Sequence, residues 1–180
     1  MYSKILITGG TGWLGKGLIN AIINGIPEIN RIDKNYLNLP IKALVLPSEI
    51  KEFKILYPDI EVFEGNLNNP DDCRLFTKKE EGACIFHLAG IIHPKLRTKE
   101  FFETNVQGAK NLVDASINEN IKRIIVMSSN SPVGCNPNNK HRFNELSPYN
   151  PYLKYGRSKK LLEDYINNIK NNIETVIIRA

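Results

Sequence analysis

The 180-residue sequence is poor in cysteine and has no long apolar run, and each shortage excludes a class of protein. Its three cysteines, Cys73, Cys84 and Cys135, are odd in number and never form a Cys-x-x-Cys pair. This pattern argues against a disulfide framework or a zinc site and predicts a reducing, cytoplasmic location. Since no apolar run reaches about 18 residues, no membrane-spanning helix is expected. The N-terminus also lacks the cleavage pattern of a signal peptide.

The composition is that of an ordinary globular domain. Hydrophobic residues make up 42% and charged residues 24% of the chain, which excludes disordered and collagen-like proteins. The formal charge of +5 is scattered rather than striped, so no nucleic-acid partner is predicted. His87, His93 and His141 have no cysteine, histidine or aspartate partners at metal-ligand spacing, and we therefore expect no metal site.

Apolar runs and helical patterns alternate along the chain. A helix is predicted over residues 13–24 with Gly25 as its stop, and residues 26–40 are interpreted as an irregular connection. Strands separated by helices must pair in parallel, which predicts an α/β, doubly wound parallel sheet (a Rossmann fold) in the order 3-2-1-4-5-6. The six predicted strands cover residues 4–8, 41–46, 60–63, 84–88, 123–127 and 175–178.

Two further helices are predicted from apolar stripes. The first precedes the fifth strand, and the second begins at an Asn150 N-cap followed by Pro151. The stripe of the first comprises Phe102, Val106, Ala109, Val113 and Ile117, and that of the second comprises Leu161, Leu162, Tyr165, Ile166 and Ile169.

A glycine-rich turn joins the first strand to the first helix. Gly9, Gly12 and Gly15 are spaced three residues apart. In a dinucleotide site the first glycine permits the tight turn, the second admits the pyrophosphate, and the third brings helix and strand together. The helix N-terminus favours the phosphate charge. The pattern therefore predicts a dinucleotide cofactor.

The choice between NAD and NADP stays open at this point. An acidic residue at the end of the second strand favours NAD, and an arginine favours NADP. Glu49 lies two to three residues beyond the expected place, and Lys51 is close to it.

Tyr155 and Lys159 are spaced four residues apart and so share one face of the last helix. A phenol with a pKa near 10 is a poor base at neutral pH, but a nearby lysine and an oxidised nicotinamide would both favour its phenolate. Behind a dinucleotide-binding turn, this pair predicts acid/base chemistry coupled to hydride transfer.

These motifs resemble those of the extended short-chain dehydrogenase/reductases, and among them the NAD-dependent epimerase/dehydratases of nucleotide-sugars. Residues 8–15 match the TGxxGxxG turn, and Tyr155 with Lys159 matches the catalytic pair. Two segments depart from the family pattern: Asn66 replaces the aspartate of Gly-Asp-Leu, and Gly90 replaces the second alanine of His-Leu-Ala-Ala. The cofactor-binding residues that the resemblance implies are Gly9, Thr11, Gly12, Trp13, Leu14, Gly15, Asn66, Leu67, Leu88, Ala89, Gly90, Asn105, Tyr155 and Lys159.

The family's third catalytic residue is a serine or threonine just after the fifth strand. Counting from the strand end selects Ser129, whereas counting back from Val133 selects Asn130, and Ser131 is a further candidate. We take Ser129 as the prediction.

The resemblance implies an NAD(P)-dependent epimerase or dehydratase of a nucleotide-sugar, with Tyr155 as acid/base. An NADP-dependent carbonyl or alcohol reductase and a non-catalytic NAD(P)-sensing module are the alternatives. It also implies that residues 1–180 form the cofactor-binding domain, that a substrate-binding part would follow Ala180, and that a homodimer could form through helices near 99–119 and 152–170.

Overall fold

The computed structural model describes residues 2–26, 29, 39–94, 97–135, 138, 140, 142–169 and 172–180. It contains one six-stranded, all-parallel sheet in the order β3-β2-β1-β4-β5-β6, which confirms the predicted topology. The strands are β1 (Ile5–Thr8), β2 (Ile41–Val45), β3 (Glu61–Glu64), β4 (Cys84–His87), β5 (Arg123–Met127) and β6 (Glu174–Ile178). Most of the predicted connection 26–40 lies outside the described residues.

Helices cover both faces of the sheet. One face packs a cluster that includes Ile19 and Phe53, and the other packs a larger cluster that includes Phe76, Leu112 and Leu162. The helices are α1 (Trp13–Asn24), α2 (Ile50–Leu56), α3 (Pro70–Thr77), α4 (Glu100–Phe102), α5 (Ala109–Asn118) and α6 (Leu153–Asn168), with a π-helical segment (Glu103–Gly108) joining α4 to α5. Burying apolar side chains on both faces of central strands requires such a three-layer arrangement.

The helix boundaries agree with the sequence at α1 and differ at α6. Helix α1 covers the predicted residues and ends where Gly25 adopts a positive φ and donates to the Ala21 carbonyl. Helix α6 begins at Leu153, so the predicted Asn150 cap is wrong. The Asn150 amide donates instead to the Pro132 carbonyl at 3.0 Å, which ties this residue to the loop after β5.

The predicted buried face of α6 also needs correction. Leu162 and Ile166 are buried as expected, but Leu161 is 44% exposed. Polar residues occupy part of the interior face instead, because Ser158, Lys159 and Glu163 are buried. Two of these buried residues, Lys159 and Glu163, carry charged side chains, so this face of α6 does not serve apolar packing alone.

Helices α2 and α3 were not predicted. Helix α3 begins with the signal that failed at α6: Asn69 caps it by accepting a hydrogen bond from the Asp71 amide at 3.0 Å, and Pro70 is its first residue. In the described part of the chain, no helix combines the length and the apolar character that crossing a membrane requires.

Candidate dinucleotide and active site

The candidate residues line one edge of the sheet. In a parallel sheet all carboxyl ends meet at the same edge, so the segments that follow β3, β2, β1, β4 and β5 stand side by side in that order. At about 4.8 Å between strands, these five positions extend over roughly 19 Å. The edge is long enough for an extended dinucleotide, with its middle at the glycine turn after β1.

The glycine turn has no room for side chains at two of its three positions. A Cβ on Gly15 would lie 2.2 Å from the Gly9 carbonyl oxygen, and one on Gly9, whose φ is +76°, would lie 2.6 Å from the Ala89 nitrogen. Helix α1 starts from Gly12 without a side-chain cap or an acidic residue in its first turn. The backbone amide groups of the first turn of α1 therefore remain available to an anion. These residues fit a pyrophosphate.

Three other predicted residues of this turn differ in exposure. Trp13 is 82% exposed, and Leu14 is half-buried at the start of α1. Thr11 donates a hydrogen bond from Oγ1 to Oε2 of Glu49 at 2.8 Å. Although Glu49 comes late in the sequence, the helical turn after β2 thus brings its carboxylate back to the glycine turn. Sequence spacing alone misses this contact.

Asn66 and Leu67 lie at the β3 end of the edge, two strands from the glycine turn. The Asn66 side chain is exposed and accepts from the Asn68 amide at 2.9 Å. Leu67 is buried in the core, and its carbonyl accepts from Asn111 at 2.9 Å. The structure therefore leaves the Asn66 side chain accessible to a ligand and turns the Leu67 side chain away from it.

The segment after β4 is held in place by Asn105. This buried asparagine accepts from the Ile91 amide at 2.7 Å and donates to the Ile91 carbonyl at 2.9 Å. It also donates to Ser158 on α6 at 3.3 Å. Asn105 lies in the π-helical segment, a local widening that is frequent at functional sites.

Gly90, the departure from the family's second alanine, has a physical reason. A Cβ at this position would lie 3.2 Å from Nζ of Lys159 and 3.3 Å from Oδ1 of Asn105. Glycine leaves this space to the lysine ammonium. Leu88 and Ala89, which precede Gly90, are half-buried. This segment is bound to the end of β1, because the Leu88 amide donates to the Thr8 carbonyl at 3.1 Å.

Tyr155 lies at the β5 end of the edge, close to Ser129. Burial raises the pKa of Tyr155 above its ordinary value, and the nearby Ser129 hydroxyl opposes part of that rise. Of the three candidates, Ser129 is thus the one that affects the pKa of the phenol, while its hydroxyl donates to Ser131 at 3.2 Å. Asn130 is exposed and lines a cavity of about 540 Å³ together with Tyr149 and Arg179.

Lys159 is buried beside Tyr155 but is directed elsewhere. Its Nζ donates to the Met127 carbonyl at 3.0 Å and lies 6.0 Å from the centre of the Tyr155 ring. Burial lowers the pKa of Lys159 to about 8, opposed by the charge of Glu163. Burial of the phenol sets the direction of the Tyr155 pKa in the chain alone, and a lowering by Lys159 together with an oxidised nicotinamide stays a prediction.

His87 is buried next to the site, and no role was predicted for it from the sequence. Its Nδ1 is 2.8 Å from Oγ1 of Thr8, which joins β4 to β1. Burial, with a smaller effect from Lys159, lowers the pKa of His87 to about 3, so the imidazole is neutral. Among the described residues no group of three metal-ligating side chains comes together, and His141 lies outside them.

The fold and this edge define a Rossmann domain of the short-chain dehydrogenase/reductase type, with a glycine turn for a dinucleotide and a Ser-Tyr-Lys cluster at one end. Residues 5–180 match the model of the NAD dependent epimerase/dehydratase family. The chain belongs to this family, and its cofactor is a nicotinamide dinucleotide.

Three similar proteins illustrate the relationship. An uncharacterized protein y4nL of Sinorhizobium fredii is 40% identical over 180 residues, which cover 98% of this chain and 49% of that protein. A bifunctional UDP-glucose 4-epimerase and UDP-xylose 4-epimerase of Pisum sativum is 27% identical, over 93% of this chain and 47% of its own length. The Bordetella bronchiseptica enzyme WbmG, solved with NAD, has the same fold, with a TM-score of 0.79 at 22% identity over 99% of this chain and 53% of that one. The chain thus spans about half the length of the proteins it matches.

Proposed function

We propose that this chain is the cofactor-binding part of an NAD-dependent epimerase or dehydratase that acts on a nucleotide-sugar. The observation that carries the proposal is the presence, on one sheet edge, of a glycine turn fitted to a pyrophosphate and of Tyr155 beside Ser129 and Lys159. The pea relative acts on UDP-glucose and UDP-xylose, which supports a nucleotide-sugar as the substrate class.

Each residue of the cluster has a distinct part in the proposed chemistry. Tyr155 exchanges a proton with a substrate hydroxyl through its phenol oxygen, and Ser129 orients that hydroxyl. Lys159, freed by the absence of a side chain at Gly90, binds the nicotinamide ribose and provides a nearby positive charge. When bound, oxidised NAD supplies the hydride acceptor and a second positive charge that favours the Tyr155 phenolate.

We further propose that Glu49 gives NAD preference over NADP. Its carboxylate is held at the glycine turn by Thr11, in the region where a ribose hydroxyl would bind. A 2′-phosphate there would meet a like charge. Glu49→Gln should therefore raise the affinity for NADP relative to NAD about tenfold or more.

The matched control for this test is Glu52→Gln. Glu52 lies on α2, three residues after Glu49, but it pairs with Lys16 at the surface, so its loss should leave the NAD/NADP ratio unchanged. Equal ratios for the wild-type chain and Glu49→Gln would contradict the assignment of Glu49.

Cofactor binding by the chain can be followed by tryptophan fluorescence. Trp13 is its single tryptophan and lies exposed at the glycine turn. Titration with NAD should change the Trp13 fluorescence saturably. A folded chain that binds neither NAD nor NADP would exclude the proposed function.

Turnover and assembly are expected to need more than this chain. Because the chain spans about half the length of the proteins it matches, we expect negligible epimerisation by residues 1–180 alone. Robust epimerisation by the purified chain would contradict this.

A homodimer is proposed through the helices near 99–119 and 152–170, where Leu153 and Leu161 are exposed on α6. Light scattering of wild type and Leu161→Glu tests it, and a monomeric wild type would contradict it.

A further inference from the structure

Glu163 is a fully buried carboxylate on α6 to which the proposed chemistry assigns no part. It follows Lys159 by four residues and so shares its helix face. Its carboxylate accepts hydrogen bonds from Ser128, from the Tyr149 hydroxyl at 2.8 Å and from Nη2 of Arg179 at 2.7 Å. Arg179 directly follows β6 and also donates to the Tyr149 hydroxyl at 3.0 Å. These donors satisfy the buried charge and fix its position.

The groups that face Lys159 come from three elements. Strand β5 offers the Met127 carbonyl, β4 offers the neutral imidazole of His87, and α6 offers the Tyr155 ring and the charge of Glu163. Glu163 forms its ion pair with Arg179 rather than with the lysine. Lys159 therefore experiences the negative charge of Glu163, while no carboxylate of the described residues forms an ion pair with its ammonium.

We propose that Glu163 is a positioning residue that holds a fixed negative charge one helical turn from Lys159 and thereby keeps the lysine in its charged form. Arg179 and Tyr149 hold the carboxylate, which would otherwise be able to bind the ammonium directly and withdraw it from the cofactor edge. The use made of the charged lysine rests on the proposed function, whereas the effect of Glu163 on Lys159 does not.

The pH titration of Lys159 tests the proposal. Lysine labelled with ¹³C at Cε reports the ionisation of each amine by NMR, and the spectrum of Lys159→Met assigns the signal. In the wild-type chain we expect a midpoint near pH 8, in keeping with burial that lowers the pKa of Lys159 to about 8. In Glu163→Gln the proton affinity of Lys159 should fall about tenfold, because a favourable charge is lost and that of Arg179 remains.

A second variant should move the same titration in the opposite direction. Arg179→Met leaves the negative charge of Glu163 uncompensated, so the proton affinity of Lys159 should rise about tenfold. This variant decides the matter if Glu163→Gln does not fold. The matched control is Glu174→Gln, which breaks an exposed ion pair with Arg123 and should leave Lys159 unchanged.

The outcomes separate this inference from the proposed function. A purely structural role for Glu163 would lower the free energy of unfolding of both variants and leave the Lys159 midpoint where it is; that result would overturn the inference. The titration is done without cofactor, so it holds whether or not NAD binds. Binding of NAD with an unmoved Lys159 midpoint rejects only the inference, and opposite shifts without any NAD binding reject only the function.

Discussion

Two lysines are buried at opposite edges of the same sheet, and they differ in their partners. Lys42, near the amino end of β2, pairs with Glu80 at 3.0 Å, lies 3.6 Å from Glu61 and donates to the Phe76 carbonyl at 3.1 Å. Its ammonium also lies 5.6 Å from the centre of the Phe76 ring. Lys159, at the carboxyl edge, donates to a single carbonyl, that of Met127, and has no ion pair among the described residues.

The difference separates a structural charge from a chemical one. A buried cation that contacts carboxylates and carbonyls is fully satisfied and contributes to the fold. A buried cation without a carboxylate contact is destabilised, which is why burial lowers the pKa of Lys159 to about 8. Buried groups with perturbed pKa values cluster at functional sites, because a bound ligand can supply the favourable contact that the folded chain does not. The amino edge of this sheet is therefore the stabilising end, and the carboxyl edge is the one to which we assign the proposed chemistry.

The largest expected effect is on the amino edge. Lys42→Met should lower the free energy of unfolding by about 3 kcal/mol, at the lower end for a broken buried pair because Lys4 still contacts Glu80 at 3.1 Å. Chemical denaturation measures this change. NAD affinity of the folded variant should stay within about twofold of wild type. The double variant Lys42→Met/Glu80→Leu should recover most of the loss, and no recovery would contradict the role of the pair.

At the carboxyl edge the corresponding substitution should act in the opposite direction. The pKa of Lys159 is lowered in the folded chain, so between about pH 8 and 10.5 the unfolded chain binds more protons and wild-type stability rises with pH. Lys159→Met removes this dependence and should be the more stable protein at pH 7, by up to about 3 kcal/mol. Urea unfolding of both proteins at pH 7 and 10 measures the difference. A difference that does not shrink with rising pH would count against a strained lysine.

Substitutions at two glycines of α1 should have the smallest effects on stability, and they test whether NAD binds at the glycine turn. Gly15→Ala places a Cβ against the Gly9 carbonyl and should weaken NAD binding at least tenfold, with about 1–3 kcal/mol of lost stability. Gly17→Ala is the matched control, since a Cβ there meets nothing within 4 Å. It should stabilise the helix by about 0.5–1 kcal/mol and leave NAD binding intact. Equal effects of the two substitutions in calorimetric titrations would refute this.

The sheet could be predicted from the sequence because its information is local. Each strand contains at least two adjacent apolar residues, and the crossover rules fix the order of parallel strands. The helix starts were harder to predict, since the same Asn-Pro pair caps α3 at Asn69 but not α6 at Asn150. The difference lies in a tertiary hydrogen bond, from the Asn150 amide to Pro132, that no local pattern encodes.

The candidate site divides in the same way. The Tyr155–Lys159 pair and the glycine turn follow from spacing within one element. The contact of Glu49 with Thr11 and the burial of Glu163 against Arg179 join residues from different elements. The i+4 spacing of Glu163 from Lys159 was visible in the sequence, but its burial depends on β6 and the loop at Tyr149. The raised pKa of Tyr155 likewise depends on burial, which spacing does not give.

One NMR titration tests the contrast between the two edges most directly. NAD is added to the folded chain carrying ¹³C at Cε of its lysines, with Lys42→Met and Lys159→Met spectra providing the assignments. The signal of Lys159 should shift saturably while that of Lys42 stays in place, because the proposed cofactor site lies at the carboxyl edge. A Lys159 signal that does not move at saturating NAD, or a Lys42 signal that moves as far, would contradict the account.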